Sequence, residues 1–80
     1  MVAALTIQLN GQSRTFSDLT SPAGLANVIH TLGLKADRIA VEHNGEIVSR
    51  TAWAQAQVIE GDRLEIVHFV GGGRPLAYAS

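Results

Sequence analysis

The chain contains no cysteine. That excludes disulfides, thiolate metal sites, iron–sulfur clusters and a cysteine nucleophile together. It also has no apolar run near the length that spans a bilayer, and its start, Met1-Val2-Ala3-Ala4-Leu5, lacks the basic region and long apolar core of a signal peptide. A cytoplasmic location without a membrane partner is therefore expected. Charge of one sign is scarce: the net value of −1 leaves no basic footprint for nucleic acid or an anionic lipid surface. With 46% hydrophobic and 16% charged residues, the chain is nonetheless globular rather than disordered. Eighty residues make one small domain with a single core, too small for a roomy catalytic pocket and its supporting shell. Such a module is expected to act with partners rather than as an enzyme.

What is present reads as short, punctuated elements. Residues 4–10 alternate, with Leu5, Ile7 and Leu9 on one side and Thr6 and Gln8 on the other, the period of a half-buried strand. Asn10-Gly11 follows, a hairpin signal because type I′ turns need positive φ at both central positions. Residues 12–16 should return beside the first strand. Ser21-Pro22 then reads as an N-cap followed by proline at the first helical position. Leu25, Val28, Ile29 and Leu32 recur at helical spacing, leaving Asn27, His30 and Thr31 outward, and Gly33 suits the left-handed stop. A helix of about three turns is expected. Residues 38–43 alternate again with Ile39 and Val41 inward, Asn44-Gly45 is a second hairpin signal, and 46–49 make a short strand. Residues 50–60 read as a helical turn and a loop anchored by Trp53 and by Val58 or Ile59. Gly61-Asp62 turns the chain into a last strand, 63–70.

Hairpin, helix, then further strands is the order of an α+β, ubiquitin-like β-grasp fold. In it a mixed sheet of four to five strands wraps one main helix, with the first and last strands adjacent at the centre. The domain should run over 1–70, followed by a flexible glycine tail, 71–73, and a disordered extension, 74–80. Three glycines at a strand end do not serve the strand, since glycine loses the most backbone entropy and packs nothing. Gly71, Gly72 and Gly73 suit a thin tail reaching roughly 10 Å into a narrow slot; the competing reading, which the glycines alone favour, is a flexible hinge before a disordered terminus. In the last strand Leu64, Ile66 and His68 share one phase while Glu65, Val67 and Phe69 share the other. If the first set faces the helix, Val67 and Phe69, with Val70, form an apolar docking patch beside the tail; the loop containing Trp53 could equally cover them.

Other signals point away from chemistry within the chain. His30, His43 and His68 are too far apart in sequence for a local metal motif, so no bound metal is expected. Gly71-Gly72-Gly73-Arg74 lacks the lysine, the hydroxyl residue and the following helix of a phosphate-binding loop. The acidic residues show no pairing that suggests acid–base work, and most should be solvated.

The run Asn44-Gly45-Glu46-Ile47-Val48-Ser49-Arg50, then Trp53, then Gly61-Asp62, then an apolar strand ending in Gly-Gly, resembles the ThiS family of sulfur carriers. The likeness extends through most of the chain up to Gly73 and is sharpest from about Val41. Many members have proline where this chain has Ser49, and they stop at the diglycine, whereas this chain continues for seven residues. The resemblance implies a protein cosubstrate in thiamine thiazole synthesis. Its terminal Gly73 carboxylate would be adenylated by a ThiF-like enzyme using ATP, converted to a thiocarboxylate by a persulfide donor, and used by a ThiG-like thiazole synthase. No cofactor would be bound to the carrier. Because Gly73 is here in peptide linkage to Arg74, the resemblance further implies either a precursor cut by a processing protease or a tail that is an addition or a misreading. Carriers for molybdopterin or cysteine synthesis share fold and tail and stay open as alternatives, as does a β-grasp interaction module in which the glycines are only a hinge.

Overall fold

The computed structural model of the chain describes residues 4–70 and 74–75. Strands β1 (Leu5–Leu9) and β2 (Gln12–Phe16) form the opening hairpin in full antiparallel register. At their turn Asn10 has φ 49° and Gly11 φ 83°, the paired positive values that the Asn-Gly dipeptide tolerates and most residues do not. Next come a two-residue strand β3 (Ala23–Gly24), helix α1 (Leu25–Thr31), a 3₁₀ turn at Ala36–Arg38, and strands β4 (Ile39–His43) and β5 (Glu46–Val48). A second 3₁₀ turn (Arg50–Ala52), strand β6 (Gln57–Val58), the long strand β7 (Arg63–Val70) and β8 (Arg74–Pro75) complete the order.

The main sheet runs β2-β1-β7-β4-β5, with β8 added to the end of β7. First and long strands lie parallel at its centre, Gln8 opposite Arg63 and Leu9 opposite Leu64, while β4 pairs β7 antiparallel. Helix α1 lays Leu25, Val28 and Ile29 on one sheet face against Leu5, Ile7, Val41, Leu64 and Ile66, with Trp53 and Val58 sealing the cluster. Asn27, His30 and Thr31 point outward. This is the β-grasp arrangement, a mixed five-stranded sheet around one helix.

Two local expectations are corrected. The helix begins at Leu25, not after Ser21, and spans seven residues, about two turns. Ala23–Gly24 is pulled into a small sheet with Gln57–Val58, and the Leu25 N–H, otherwise an orphan of the helix start, donates to the Ala56 carbonyl at 2.9 Å. The Ser21 hydroxyl instead accepts from the Glu60 N–H at 3.0 Å. Secondly, residues 50–60 contain strand β6, and Val58 is the buried anchor while Ile59 is 52% exposed. The exposed Glu60 carboxylate accepts from the Thr6 N–H, and the Thr6 carbonyl accepts from the Gly61 N–H. That stitches the start of β1 to the loop before β7. Arg74 and Pro75 pair with Val70 and Phe69; the rest of the extension, 76–80, lies outside the described residues.

Both hairpin turns also grip β7. On one flank the Asn10 N–H donates to the Leu64 carbonyl at 2.9 Å while its Oδ1 accepts from the Ile66 N–H at 2.7 Å. On the other the Asn44 N–H donates to the Arg63 carbonyl at 2.9 Å and its Oδ1 accepts from the Arg63 N–H at 2.8 Å. Asp62 Oδ2 closes the turn before β7 by accepting from the Ile59 N–H at 3.0 Å, and it accepts from His43 Nε2 at 2.7 Å. Burial pushes the Asp62 carboxyl up, but hydrogen bonds from Ile59, His43 and Asn44 and the charge of His43 outweigh it, and the group sits below its ordinary 3.8.

Asn10→Gly keeps the left-handed turn but leaves the Ile66 N–H without its acceptor. It should lower stability by about 1–3 kcal/mol in urea denaturation, and an unchanged midpoint would show that the side chain holds nothing. Because the folded value of Asp62 is depressed, its stabilisation is full above 3.8 and is lost as pH falls through the folded value. The urea midpoint of Asp62→Asn should accordingly fall less on acidification than that of the parent, when both are followed from neutrality to below pH 3.8.

Candidate functional site at the end of the central strand

Strand β7 carries the residues singled out by the sequence. Its register settles the phase: Leu64 and Ile66 face the helix-covered core, and Val67 and Phe69 face the opposite side, Val67 beside Ala40 of β4. His68 shares the core phase but lies at the margin, opposite Ile39, and is exposed. Val67 is itself buried and Phe69 half-buried, so most of the surface this pair offers comes from Phe69. The backbone of Val70 ends β7. Gly71, Gly72 and Gly73 lie outside the described residues.

Phe69 opens onto a groove of about 560 Å³ shared with Ile39, Ala40, Ile47, Val48 and Trp53. Each wall has a local cause. The second Asn-Gly turn, with Asn44 at φ 51° and Gly45 at φ 90°, pairs His43 with Glu46, Glu42 with Ile47 and Val41 with Val48. Val48 therefore follows Val41 inward, and Ile47 is turned out and left 63% exposed. Ser49 leads into the 3₁₀ turn with φ −65° and ψ 149°. A proline ring fixes that same φ, so serine here holds the backbone that proline would impose. The turn carries Trp53 back under β5, where its Nε1–H donates to the Val48 carbonyl at 2.9 Å and the indole is buried. Trp53 thus forms one wall of the groove rather than a lid over Phe69.

Ile47 and the polar residues Asp37 and Arg50, which also line the groove, were not expected from the sequence as part of a docking surface. For Ile47 the signal was available, because the turn at Asn44-Gly45 already dictates which residue of 46–48 faces out. Asp37 and Arg50 are brought to the same groove only by tertiary packing.

The chemistry at hand is that of a binding surface. Among the described residues no group of three or more histidine, aspartate or glutamate side chains is arranged to hold a metal ion. Asp62, whose carboxyl is held below its ordinary value, lies at the opposite end of β7, where it stabilises a turn. His30 and His68 are exposed and His43 is engaged by Asp62. No helix among the described residues is long and apolar enough to cross a membrane. An apolar hollow with polar groups at its margin, at the foot of a terminal segment, can seat a partner's side chain.

Comparison with known proteins gives that surface a context. The chain is 41% identical over 69 residues to a thiazole synthase of Paramagnetospirillum magneticum and 36% identical over 70 residues to one of Magnetococcus marinus. It spans about a fifth of the length of each, 20% and 21%, while 86% and 88% of the chain is covered. It is 31% identical to the sulfur carrier protein ThiS of Bacillus subtilis, over 84% of this chain and 98% of that one. The crystal structure of a thiamine biosynthesis protein (ThiS) from Geobacter metallireducens superposes with a TM-score of 0.74 at 29% identity, covering 85% of this chain and 99% of that one. The model of the ThiS family matches residues 7–73, from within the first strand to the third glycine, and the chain belongs to that family.

Proposed function

We propose that the chain is a sulfur carrier in thiamine thiazole biosynthesis, acting as a protein cosubstrate rather than an enzyme, in the cytoplasm. The observation that carries this reading is the end of the family match at residue 73: the likeness stops at the last glycine, where a carrier's working carboxylate would lie. The name of the Bacillus relative supports it, as does the presence of a matching segment within thiazole synthases.

The chemistry of that carboxylate explains why a carrier needs partners. With a terminal pKa of about 3.5 it is ionised at neutrality and resists nucleophiles. Attack of the Gly73 carboxylate oxygen on the α-phosphorus of ATP, within a ThiF-like enzyme, gives an acyl adenylate and releases pyrophosphate. The terminal sulfur of a persulfide then attacks the acyl carbon and AMP leaves with the bonding pair. Reductive cleavage of the resulting acyl disulfide by a thiol leaves the thiocarboxylate, from which a ThiG-like synthase takes sulfur. None of these steps asks the carrier for an acid, a base or a metal. Its own contribution is a surface to be recognised, centred on Phe69 and Ile47, and three glycines slender enough to enter two different active sites. In the chain as it stands, residues 74–80 must first be removed by hydrolysis of the Gly73–Arg74 bond, which is work for a processing protease.

Intact mass tests the reading. A chain ending at Gly73, given a ThiF-like enzyme, ATP and a persulfide donor, should exchange one oxygen for sulfur, and a mass that never changes would end the proposal. For the docking surface, Phe69→Ala should weaken binding to the adenylating enzyme by about tenfold, equivalent to about 1.4 kcal/mol, with the circular dichroism of the fold retained. Unchanged affinity would remove Phe69 from the interface.

A further inference from the structure

The main chain of β7 offers two edges, and the turn contacts identify which residues face which. Leu64 accepts from the Asn10 N–H and Ile66 donates to Asn10 Oδ1, so the even-numbered residues direct their backbone groups toward β1. Backbone polarity alternates along a strand, which puts the N–H and C=O of His68 and Val70 on that same edge. Strand β1, however, pairs only through Gln8 and Leu9, opposite Arg63 and Leu64. The C-terminal half of β7 therefore runs on past the end of its parallel neighbour, and its edge toward β1 is a place where a further strand can be added.

The chain's own extension takes that place. Arg74 is the antiparallel partner of Val70 and Pro75 that of Phe69. Proline has no N–H, so the pair able to exchange both ladder bonds is Val70 with Arg74, whose backbone groups point toward the β1 edge. Four extended residues would carry Arg74 roughly 13 Å beyond Val70; as strand partners the two Cα atoms are instead about 5.5 Å apart. Arg74 therefore lies back beside Val70 instead of beyond it.

We propose that β8 is an intramolecular cap, an autoinhibitory strand in which Arg74 and Pro75 occupy the open edge of β7. This rests on the reading of Gly73 as the working end. The cap makes removal of the extension a double event: it creates the carboxylate, and it releases the edge strand so that the end of β7 can enter a partner. The cap is weak by composition, because β8 has a single N–H, that of Arg74. That also makes it selectively breakable, since Arg74→Pro removes the donor and leaves every residue of the β-grasp sheet in place.

The test compares the full chain, its Arg74→Pro variant and the chain ending at Gly73. In amide hydrogen exchange by NMR, Val70 should exchange at least about tenfold faster in the variant and in the shortened chain than in the full chain, while Ile7, Val41 and Leu64 stay unchanged. Equal exchange at Val70 in all three would overturn the cap. Binding of the uncut chains to a ThiF-like enzyme should be at least about threefold tighter for Arg74→Pro than for the parent; equal binding with Val70 protected would leave a strand that inhibits nothing and would equally overturn it. Failure of the shortened chain to accept sulfur would instead count against the carrier reading, and the exchange measurement would still judge the strand.

Discussion

The long strand β7 is held from both sides by two asparagines, and the rest of the domain depends on that grip. Asn10 and Asn44 each occupy the first left-handed position of a hairpin turn, and each also uses its main-chain N–H and side-chain carbonyl on the backbone of β7. A turn is local and a sheet is not, and here one residue type couples them. The β1–β2 hairpin cannot shift along β7 without breaking the Asn10 contacts, nor the β4–β5 hairpin without breaking those of Asn44. Asp62 adds a third fixing point by closing the turn that feeds β7 and engaging His43 at the end of β4.

That fixing explains the division of the molecule into a quiet end and a working end. Around residues 59–63 the polar groups are used up on one another: Glu60 on Thr6, Ser21 on Glu60, Asp62 on Ile59 and His43. At the other end β7 outruns β1, Phe69 borders an open groove, and Ile47 stands exposed beside it. On the carrier reading proposed above, this asymmetry sets recognition beside the glycine tail while the opposite end keeps the strand in register.

The elements most legible from residues alone were those whose cause is local. Alternation in 5–9 and 63–70 and the two Asn-Gly dipeptides required no knowledge of the partner strand, and β2 and β7 appear with the boundaries read from sequence. The start of the helix was misread because Ser21-Pro22 is a good local cap, yet pairing of Ala23–Gly24 with Gln57–Val58 outweighs it and the helix begins one turn later. Two-residue strands such as β3 and β6 leave no periodicity to detect. Most of the acidic residues are exposed, as their lack of pairing implies, but the bond between the Glu60 carboxylate and the Thr6 N–H, fifty-four positions apart, has no signature in sequence.

By itself, the sequence determined the hairpins, the presence of one amphipathic helix, the sharing of one strand face by Val67 and Phe69, and the likeness to the family, because each follows from periodicity, turn chemistry or an ordered set of motifs along the chain. Only the tertiary structure decided that Val67 is buried, that Trp53 and Phe69 share one groove with Asp37 and Arg50, and that Arg74–Pro75 returns along β7. Those outcomes depend on which edges and faces remain open once the sheet is assembled, and an open edge is a property of the neighbours a strand lacks rather than of the residues it contains.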